Sequence, residues 1–239
     1  MIDFHSHILP EMDDGSQSPE ESVQMLQLLR RQGVDTVIAT PHFYGNQDNP
    51  DNFLAHRDVS RDRLPYDPET MPKLLMGAEV AYFRDMSRSE ELRRLCVEDS
   101  PVILIEMPFY KWTKRMVADL CNMQRSGYIP VIAHVDRYWK RGQFLSHWRR
   151  MRKAGVWFQC NANALLPKYS GGRLIWMLKR GAIHFLGSDC HNMGKRISVM
   201  DQAAERISRR LGKAALEKMD AAAWELLSQK RKAKKEDCS

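Results

Sequence analysis

The sequence predicts an α/β protein built as a (β/α)7 TIM-like barrel, closed or nearly closed, and three observations predict it. Seven short apolar runs alternate with helical stretches, one unit about every 30 residues along the chain. Glycines stop several of the helical stretches. Nearly every apolar run ends in His, Asp or Glu. Strands separated by helices pair in parallel through right-handed crossovers, and such folds gather their chemistry at the carboxyl ends of the strands.

The first unit opens with Ile2-Asp3-Phe4-His5-Ser6-His7. Ser18-Pro19-Glu20-Glu21 then forms a capping box with proline at the first helical position, and the helix turns Val23, Leu26 and Leu29 inward until Gly33. Thr36 to Thr40 is a second strand running into Pro41-His42. The polar, proline-bearing stretch 43–72 holds one helix near Phe53 to Leu64. Lys73 to Ala78 is a third strand ending at Glu79, and a helix from Ser89 to Val97 leads to Val102–Ile105, which ends at Glu106. A helix over Lys114–Arg125 closes at Gly127, and Ile129–Ala133 ends at His134. The next helix closes at Gly155, and Val156–Cys160 ends at Asn161. A helix over Arg173–Lys179 stops at Gly181, and Ile183–Leu186 leads to Asp189 and His191. Helices over Ile197–Leu211 and Lys213–Gln229 finish a single domain spanning residues 1–229, and residues 230–239 form a basic, disordered tail.

Composition bounds the class. In 239 residues, 43% hydrophobic and 28% charged content supports a large core and argues against disorder. No apolar run approaches the roughly 20 residues of a membrane helix, and the N-terminus lacks signal-peptide order, so the expected compartment is the cytoplasm. Five widely spaced cysteines without a Cys-x-x-Cys pair argue for reduced thiols. The net charge is +7, but five cations against two acids give the tail +3 of it. A second basic stretch, from Arg137 through Lys140, Arg141, Arg149, Arg150, Arg152 and Lys153, reads as a solvated helix face or as a surface for an anionic partner.

Alternate residues on a strand share a face, so His5 and His7 project together and two neutral imidazoles can close on one cation. By itself that pair is a weak signal. His42, Glu79, Glu106, His134, Asp189 and His191 repeat the placement at other strand ends, and Asp14 lies in the first loop. Nine oxygen and nitrogen donors exceed what one catalytic metal takes, so two or three metals are expected. Imidazole mixed with carboxylate suits manganese, iron or zinc, and clustered metals favour hydrolysis of phosphate esters.

These residues carry a resemblance. Ile2 to Pro10, Asp13-Asp14-Gly15-Ser16, Ala39 to His42, Gly77 to Val80, Ile105-Glu106, Pro130 to Tyr138 and Gly187 to Asn192 resemble the polymerase and histidinol phosphatase (PHP) superfamily. Within it the chain is similar to the bacterial metal-dependent protein-tyrosine phosphatases encoded with capsule and exopolysaccharide genes. The resemblance implies a distorted seven-stranded barrel holding three divalent metals, most commonly manganese, with iron or zinc as alternatives. It implies that His5, His7, Glu79 and Asp189 hold the first metal. Glu79, Glu106 and His134 would hold the second, and Asp14, His42 and His191 the third. Arg137 and Arg196 match its phosphate-binding arginines. The implied reaction is attack of metal-activated hydroxide on the phosphorus of phosphotyrosine, with a bacterial tyrosine autokinase as the protein substrate and no stable nucleic-acid partner. The chain departs from the family in 43–72, and in having Met219-Asp220-Ala221 where an asparagine-proline motif is usual.

Three further readings bear on function. Phe43, Tyr44, Tyr82, Phe83, Tyr110, Trp112 and Tyr138 follow candidate ligands closely, and wall a slot for an aryl ring or pack between loops. Cys190 and Arg196 are spaced as in thiol-based tyrosine phosphatases, but that chemistry leaves the flanking Asp189 and His191 without a role. The same metals would also serve a phosphoesterase acting on a small phosphometabolite or nucleic acid, or a non-catalytic scaffold.

Overall fold

Seven parallel staves close around one axis in the computed structural model, which describes residues 1–139, 143–166 and 168–230. The tail beyond Lys230 lies outside the described residues, as do Lys140 and Arg141 of the basic stretch. The staves are β1 (Ile2–Ser6), β2 with β3 (Thr36–Ala39, His42–Tyr44), β4 with β5 (Lys73–Met76, Glu79–Ala81), β6 (Val102–Glu106), β7 (Ile129–Ile132), β8 (Trp157–Asn161) and β9 (Phe185–Gly187). Every ladder is parallel, in the order β1-β2-β4 for one sheet and β3-β5-β6-β7-β8-β9 for the other.

Two staves are broken at the same height, which the uninterrupted apolar runs do not reveal. Pro41 cannot donate to a ladder, and Gly77 interrupts the neighbouring run. Hydrogen bonds from Gly77 N to Ala39 O (2.9 Å) and from Glu79 N to Pro41 O (3.0 Å) carry the pairing across the break. The seam between β9 and β1 is closed by Asp189 N to His5 O (2.8 Å) and His7 N to Cys190 O (3.0 Å). Gly187 lets the two strands approach, because a Cβ there would stand 2.7 Å from the Cβ of His5. Beneath the seam the buried Asp3 carboxylate accepts from Ser188 N (2.7 Å) and His5 N (3.2 Å), and burial pushes its carboxyl up to about 6.

Residues from six staves meet in one cluster, which places it inside the barrel: Ile2, Phe4, Ile38, Leu75, Leu104, Val131 and Phe185 among them. Phe4 stacks on Phe185 with centroids 4.3 Å apart. Ala223 and Leu226 belong to the same cluster, so α9 (Ala214–Leu227) plugs the amino-terminal mouth, held by Ile2 N donating to Asp220 Oδ1 at 2.9 Å. Strand alternation sends Val102 and Leu104 of β6 inward and Ile103 and Ile105 outward to the helices.

The outer helices are α1 (Pro19–Arg31), α2 (Pro50–Asp62), α3 (Lys114–Met123), α4 (Val135–Trp139), α5 (Gln143–Lys153), α6 (Ala162–Leu165), α7 (Lys168–Lys179) and α8 (Met200–Leu211). Ser18 caps α1 by accepting from Glu21 N at 3.2 Å. The helix expected over Ser89–Val97 is instead two short 3-10 turns, Met86–Arg88 and Glu91–Leu95. Leu92 and Leu95 are buried there, and i, i+3 spacing satisfies a 3-10 turn as well as an α-helix. On α5 the exposed Arg149, Arg150, Arg152 and Lys153 form a solvated face.

Candidate metal centre

The barrel's carboxyl-terminal mouth brings together all nine residues singled out as ligands. Around Glu79 the contacts are His5 Nε2 at 3.1 Å, His7 Nε2 at 3.3 Å and His42 Nδ1 at 3.1 Å, all to Oε2, and His134 Nε2 at 2.9 Å to Oε1. Glu106 Oε1 lies 3.3 Å from His134 Nε2. Asp14 Oδ1 lies 3.6 Å from His42 Nε2 and 3.3 Å from His191 Nε2. Asp189 Oδ1 lies 3.8 Å from His5 Nε2 and 3.7 Å from His7 Nε2. His5, His7, Glu79, His134, Asp189 and His191 are buried, whereas Asp14 is exposed at the rim.

Three groups offer donor atoms within 4.8 Å of one another: His7, Asp14, His42 and His191; His5, His7 and Asp189; and His42, Glu79 and Glu106. The division differs from the one implied by resemblance: His42 stands in place of His134 beside Glu79 and Glu106, His134 falls in none of the three groups, Glu79 is absent from the group of His5 and Asp189, and His7 joins that of Asp14, His42 and His191 as well. The donor set fits divalent metal ions. Borderline imidazoles are mixed with hard carboxylates, with no thiolate among them. His42 Nδ1 and His191 Nε2 are buried and, although carboxylate oxygens lie 3.1 and 3.3 Å away, are not aligned to hydrogen-bond with them, as expected of lone pairs that serve a metal.

The electrostatics follow from this crowding. Burial would lower His7, but hydrogen bonds to Asp13 and Glu79 raise it to about 10. His134 is carried to about 9 against burial by Glu106 and Glu79. Burial would raise the acids, yet His5, Arg137 and His7 hold Asp189 at about 2, and the imidazoles hold Glu79 well below the carboxylate range. Burial and neighbouring His7 push His191 down to about 4.

Backbone strain sits in the same place. His134 (φ 31°) and Asp189 (φ 51°) are non-glycine residues in the left-handed region, each two residues beyond the end of a stave. Such strain persists where the surroundings over-determine it, as they do at functional sites. Gln159 Oε1 accepts from His134 N at 2.6 Å, and Asn161 Nδ2 donates to Asp189 Oδ2 at 2.6 Å, so the end of β8 fixes both turns.

Both arginines expected to bind phosphate reach this mouth. Arg137 donates to Asp189 Oδ2. Arg196 donates to Asp189 Oδ1 at 3.0 Å and to Asp14 Oδ2 at 3.2 Å. Glu21 accepts from Met193 N at 3.1 Å and so ties the Arg196 loop to α1. Asp136 is buried and accepts from Asn161 N at 2.9 Å through Oδ1, and burial pushes its carboxyl up.

Of the aromatics, only part lines the mouth. Phe43, Trp112 and Tyr138 are core residues, with Tyr138 donating to Met107 O at 2.6 Å, and Tyr82 donates to Asp119 at 3.2 Å. Tyr44, 37% exposed, stacks on His42 at 5.5 Å, and Phe109, 38% exposed, stacks on His134 at 6.0 Å. Phe109 escaped the sequence reading, although it lies three residues beyond Glu106. Asp13 escaped it as well. It accepts from His7 Nδ1 at 2.7 Å and from His42 N at 2.9 Å, and its position beside Asp14 was the available signal.

The thiol alternative fails on the geometry. Cys190 is 1% exposed and burial pushes its thiol up, while the next helix begins only at Met200.

The fold and the site together define a barrel of the metal-binding hydrolase class. Residues 1–225 match the family described as capsular polysaccharide synthesis, CpsB/CapC, and the chain belongs to that family. The tyrosine-protein phosphatase CpsB of Streptococcus pneumoniae is 31% identical, over 89% of this chain and 91% of its own length. The tyrosine-protein phosphatase YwqE of Bacillus subtilis is 32% identical, over 82% and 79%. A crystal structure reported for these "unique metal-dependent tyrosine phosphatases" superposes with a TM-score of 0.82 at 27% identity, covering 95% of this chain and 94% of the other. The histidinol phosphate phosphatase of Lactococcus lactis, at 14% identity and a TM-score of 0.53, shares the fold.

Proposed function

We infer that this chain is a metal-dependent protein-tyrosine phosphatase serving capsular or exopolysaccharide synthesis. The observation that carries the reading is the convergence of Arg137 and Arg196 on the two oxygens of Asp189, beside eight His, Asp and Glu residues whose donor atoms form three metal-sized groups. Two guanidinium forks beside a metal-binding cluster suit a tetrahedral phosphoryl group, because each fork matches paired oxygens.

His5, His7, Glu79 and Asp189 would hold one divalent ion. Glu79, Glu106 and His134 would hold a second, and Asp14, His42 and His191 a third, with manganese the favoured metal. Bound there, the ions supply Lewis acidity for phosphate hydrolysis at neutral pH. Arg137 and Arg196 orient the phosphoryl oxygens and neutralise their charge as the ester bond breaks. Asp13 keeps the His7 ring turned toward the cluster, and Asn161 does the same for Asp189. Tyr44 and Phe109 flank the mouth and offer ring faces to an aryl phosphate. A phenol, with a pKa of about 10, departs with less protonation than an alkyl alcohol.

The substrate would be a bacterial tyrosine autokinase in the cytoplasm, with residues 1–229 acting as one catalytic domain. The test is hydrolysis of phosphotyrosine, phosphoserine and histidinol phosphate by metal-depleted and manganese-restored protein. Activity on phosphotyrosine that returns only with metal is expected. Activity surviving full metal removal, or a preference for histidinol phosphate, overturns the reading.

A further inference from the structure

On the side of the barrel opposite the metal centre, a cavity of about 470 Å³ opens between the end of α7, the approach to β9, and the junction of α8 with α9. Its floor is apolar, formed by Leu178, Ile183, Leu211, Ala215 and Met219. Lys179, Arg210 and Lys218 line it, no acidic side chain does, and all three cations are exposed. None of the three forms an ion pair among the described residues, whereas the adjacent Arg209 is paired with Glu205. Unpaired cations over an apolar floor have one complement in charge and shape, an anionic head on an apolar body.

A second feature shares this face. Trp176 of α7 is 53% exposed, and the Arg180 guanidinium lies over its ring at 5.4 Å. Lys179 stands one helical turn from Trp176, so the indole and the pocket cations lie on neighbouring surface. An exposed indole beside basic side chains matches the boundary between lipid headgroups and acyl chains, where tryptophan is enriched and arginine keeps its charge in water. A soluble phosphate would need neither the indole nor the apolar floor. No described helix is long and apolar enough to cross a membrane, so attachment by this face would be peripheral.

We propose that this pocket, with Trp176 at its margin, docks the protein on an anionic phospholipid surface, taking a phosphate headgroup between Lys179, Arg210 and Lys218. The docking face is the amino-terminal side of the barrel, so the metal centre at the carboxyl-terminal mouth points away from the lipid. The inference stands independently of the catalytic reading, because it uses no residue of the metal centre.

The experiment is co-sedimentation of the full chain with vesicles of phosphatidylcholine alone or mixed equally with phosphatidylglycerol. Binding to the mixed vesicles only is expected, with a blue shift of tryptophan fluorescence that Trp176→Ala diminishes. The variant K179Q/R210Q/K218Q should partition on the order of a hundredfold more weakly, since each basic residue near an anionic surface contributes comparably. Removing the same number of charges from the tail, in K232Q/K234Q/K235Q, should change partitioning by less than the pocket variant does. Circular dichroism and p-nitrophenyl phosphate hydrolysis serve as folding controls for both variants. The proposal is overturned by equal binding to neutral vesicles, by no binding to either, by an unaffected pocket variant, or by a tail variant that loses as much. It is also overturned if glycerol phosphate, at equal phosphate concentration, displaces the protein from vesicles.

Discussion

His5 Nε2 and His7 Nε2 face each other at 3.0 Å within the barrel mouth, and Glu79 Oε2 lies within 3.3 Å of both. Two imidazole nitrogens this close point at one spot, an arrangement suited to a shared cation once both rings are deprotonated to ligate it. The double variant H5A/H7A should therefore lose one equivalent of bound metal and fall to background turnover on phosphotyrosine. Its far-UV circular dichroism should remain that of a folded barrel, since the interior cluster below these rings is untouched. Retained activity with retained metal content would defeat the assignment.

Asp13 acts through His7. Its carboxylate accepts from His7 Nδ1 at 2.7 Å and also from His42 N and Gly15 N, a geometry that fixes the ring and its tautomer. Removal of such outer partners typically costs about 10–100-fold in metal affinity or activity. Asp13→Asn is expected to show that loss in metal titration, with recovery of rate at high manganese. A rate that stays low when every site is filled would mean that Asp13 serves something other than metal retention.

The staves and the gathering of nine His, Asp and Glu side chains at their ends were legible because both are local patterns: apolar runs, and polar residues at or near their ends. The breaks at Pro41 and Gly77 were not legible, since each interrupts a run whose neighbours continue the pairing across it. The role of Asp13, as opposed to its place beside Asp14, was not legible for a different reason. Its partners, His7 and the His42 backbone, meet only when the first loop folds over the barrel mouth. Phe109 and Tyr110 are adjacent in sequence, and only the loop's conformation decides that Phe109, and not the more exposed Tyr110, stacks on His134.

Arg137 and Arg196 divide the Asp189 carboxylate between them, and a guanidinium offers no lone pair to a metal. Arg137→Lys and Arg196→Lys keep the charge but lose the fork. Each should lower kcat/KM by about 10²–10³-fold, the cost typical of removing one donor to developing charge. Metal content measured by inductively coupled plasma spectrometry should stay at the wild-type value. Loss of metal in either variant would reassign that arginine to holding Asp189 in place.

Tyr44 and Phe109 stack on His42 and His134, and each leaves more than a third of its surface exposed. If they grip the substrate ring, Y44A/F109A should raise KM for phosphotyrosine roughly tenfold, the equivalent of one or two aromatic contacts of about 0.5–1.5 kcal/mol each. Hydrolysis of a small alkyl phosphate should change far less. Equal losses on aryl and alkyl substrates would show that the rings support the histidines and do not select the leaving group.

His184 lies away from the metal centre, and its titration should govern part of the acid stability. Burial and the neighbouring Arg152 push it down to about 4 from an ordinary 6.5, while Phe158 N donates to its Nδ1 at 3.2 Å. The unfolded chain therefore takes up this proton first as pH falls. Its contribution is complete above about pH 6.5 and is lost progressively down to about pH 4, amounting to something on the order of 3 kcal/mol. His184→Gln keeps an amide acceptor for the Phe158 N–H but cannot titrate. Urea midpoints of metal-depleted protein measured across that window should fall less steeply in the variant than in the wild type. Parallel pH profiles would place the acid sensitivity elsewhere, in the carboxylate and imidazole pairs of the barrel mouth.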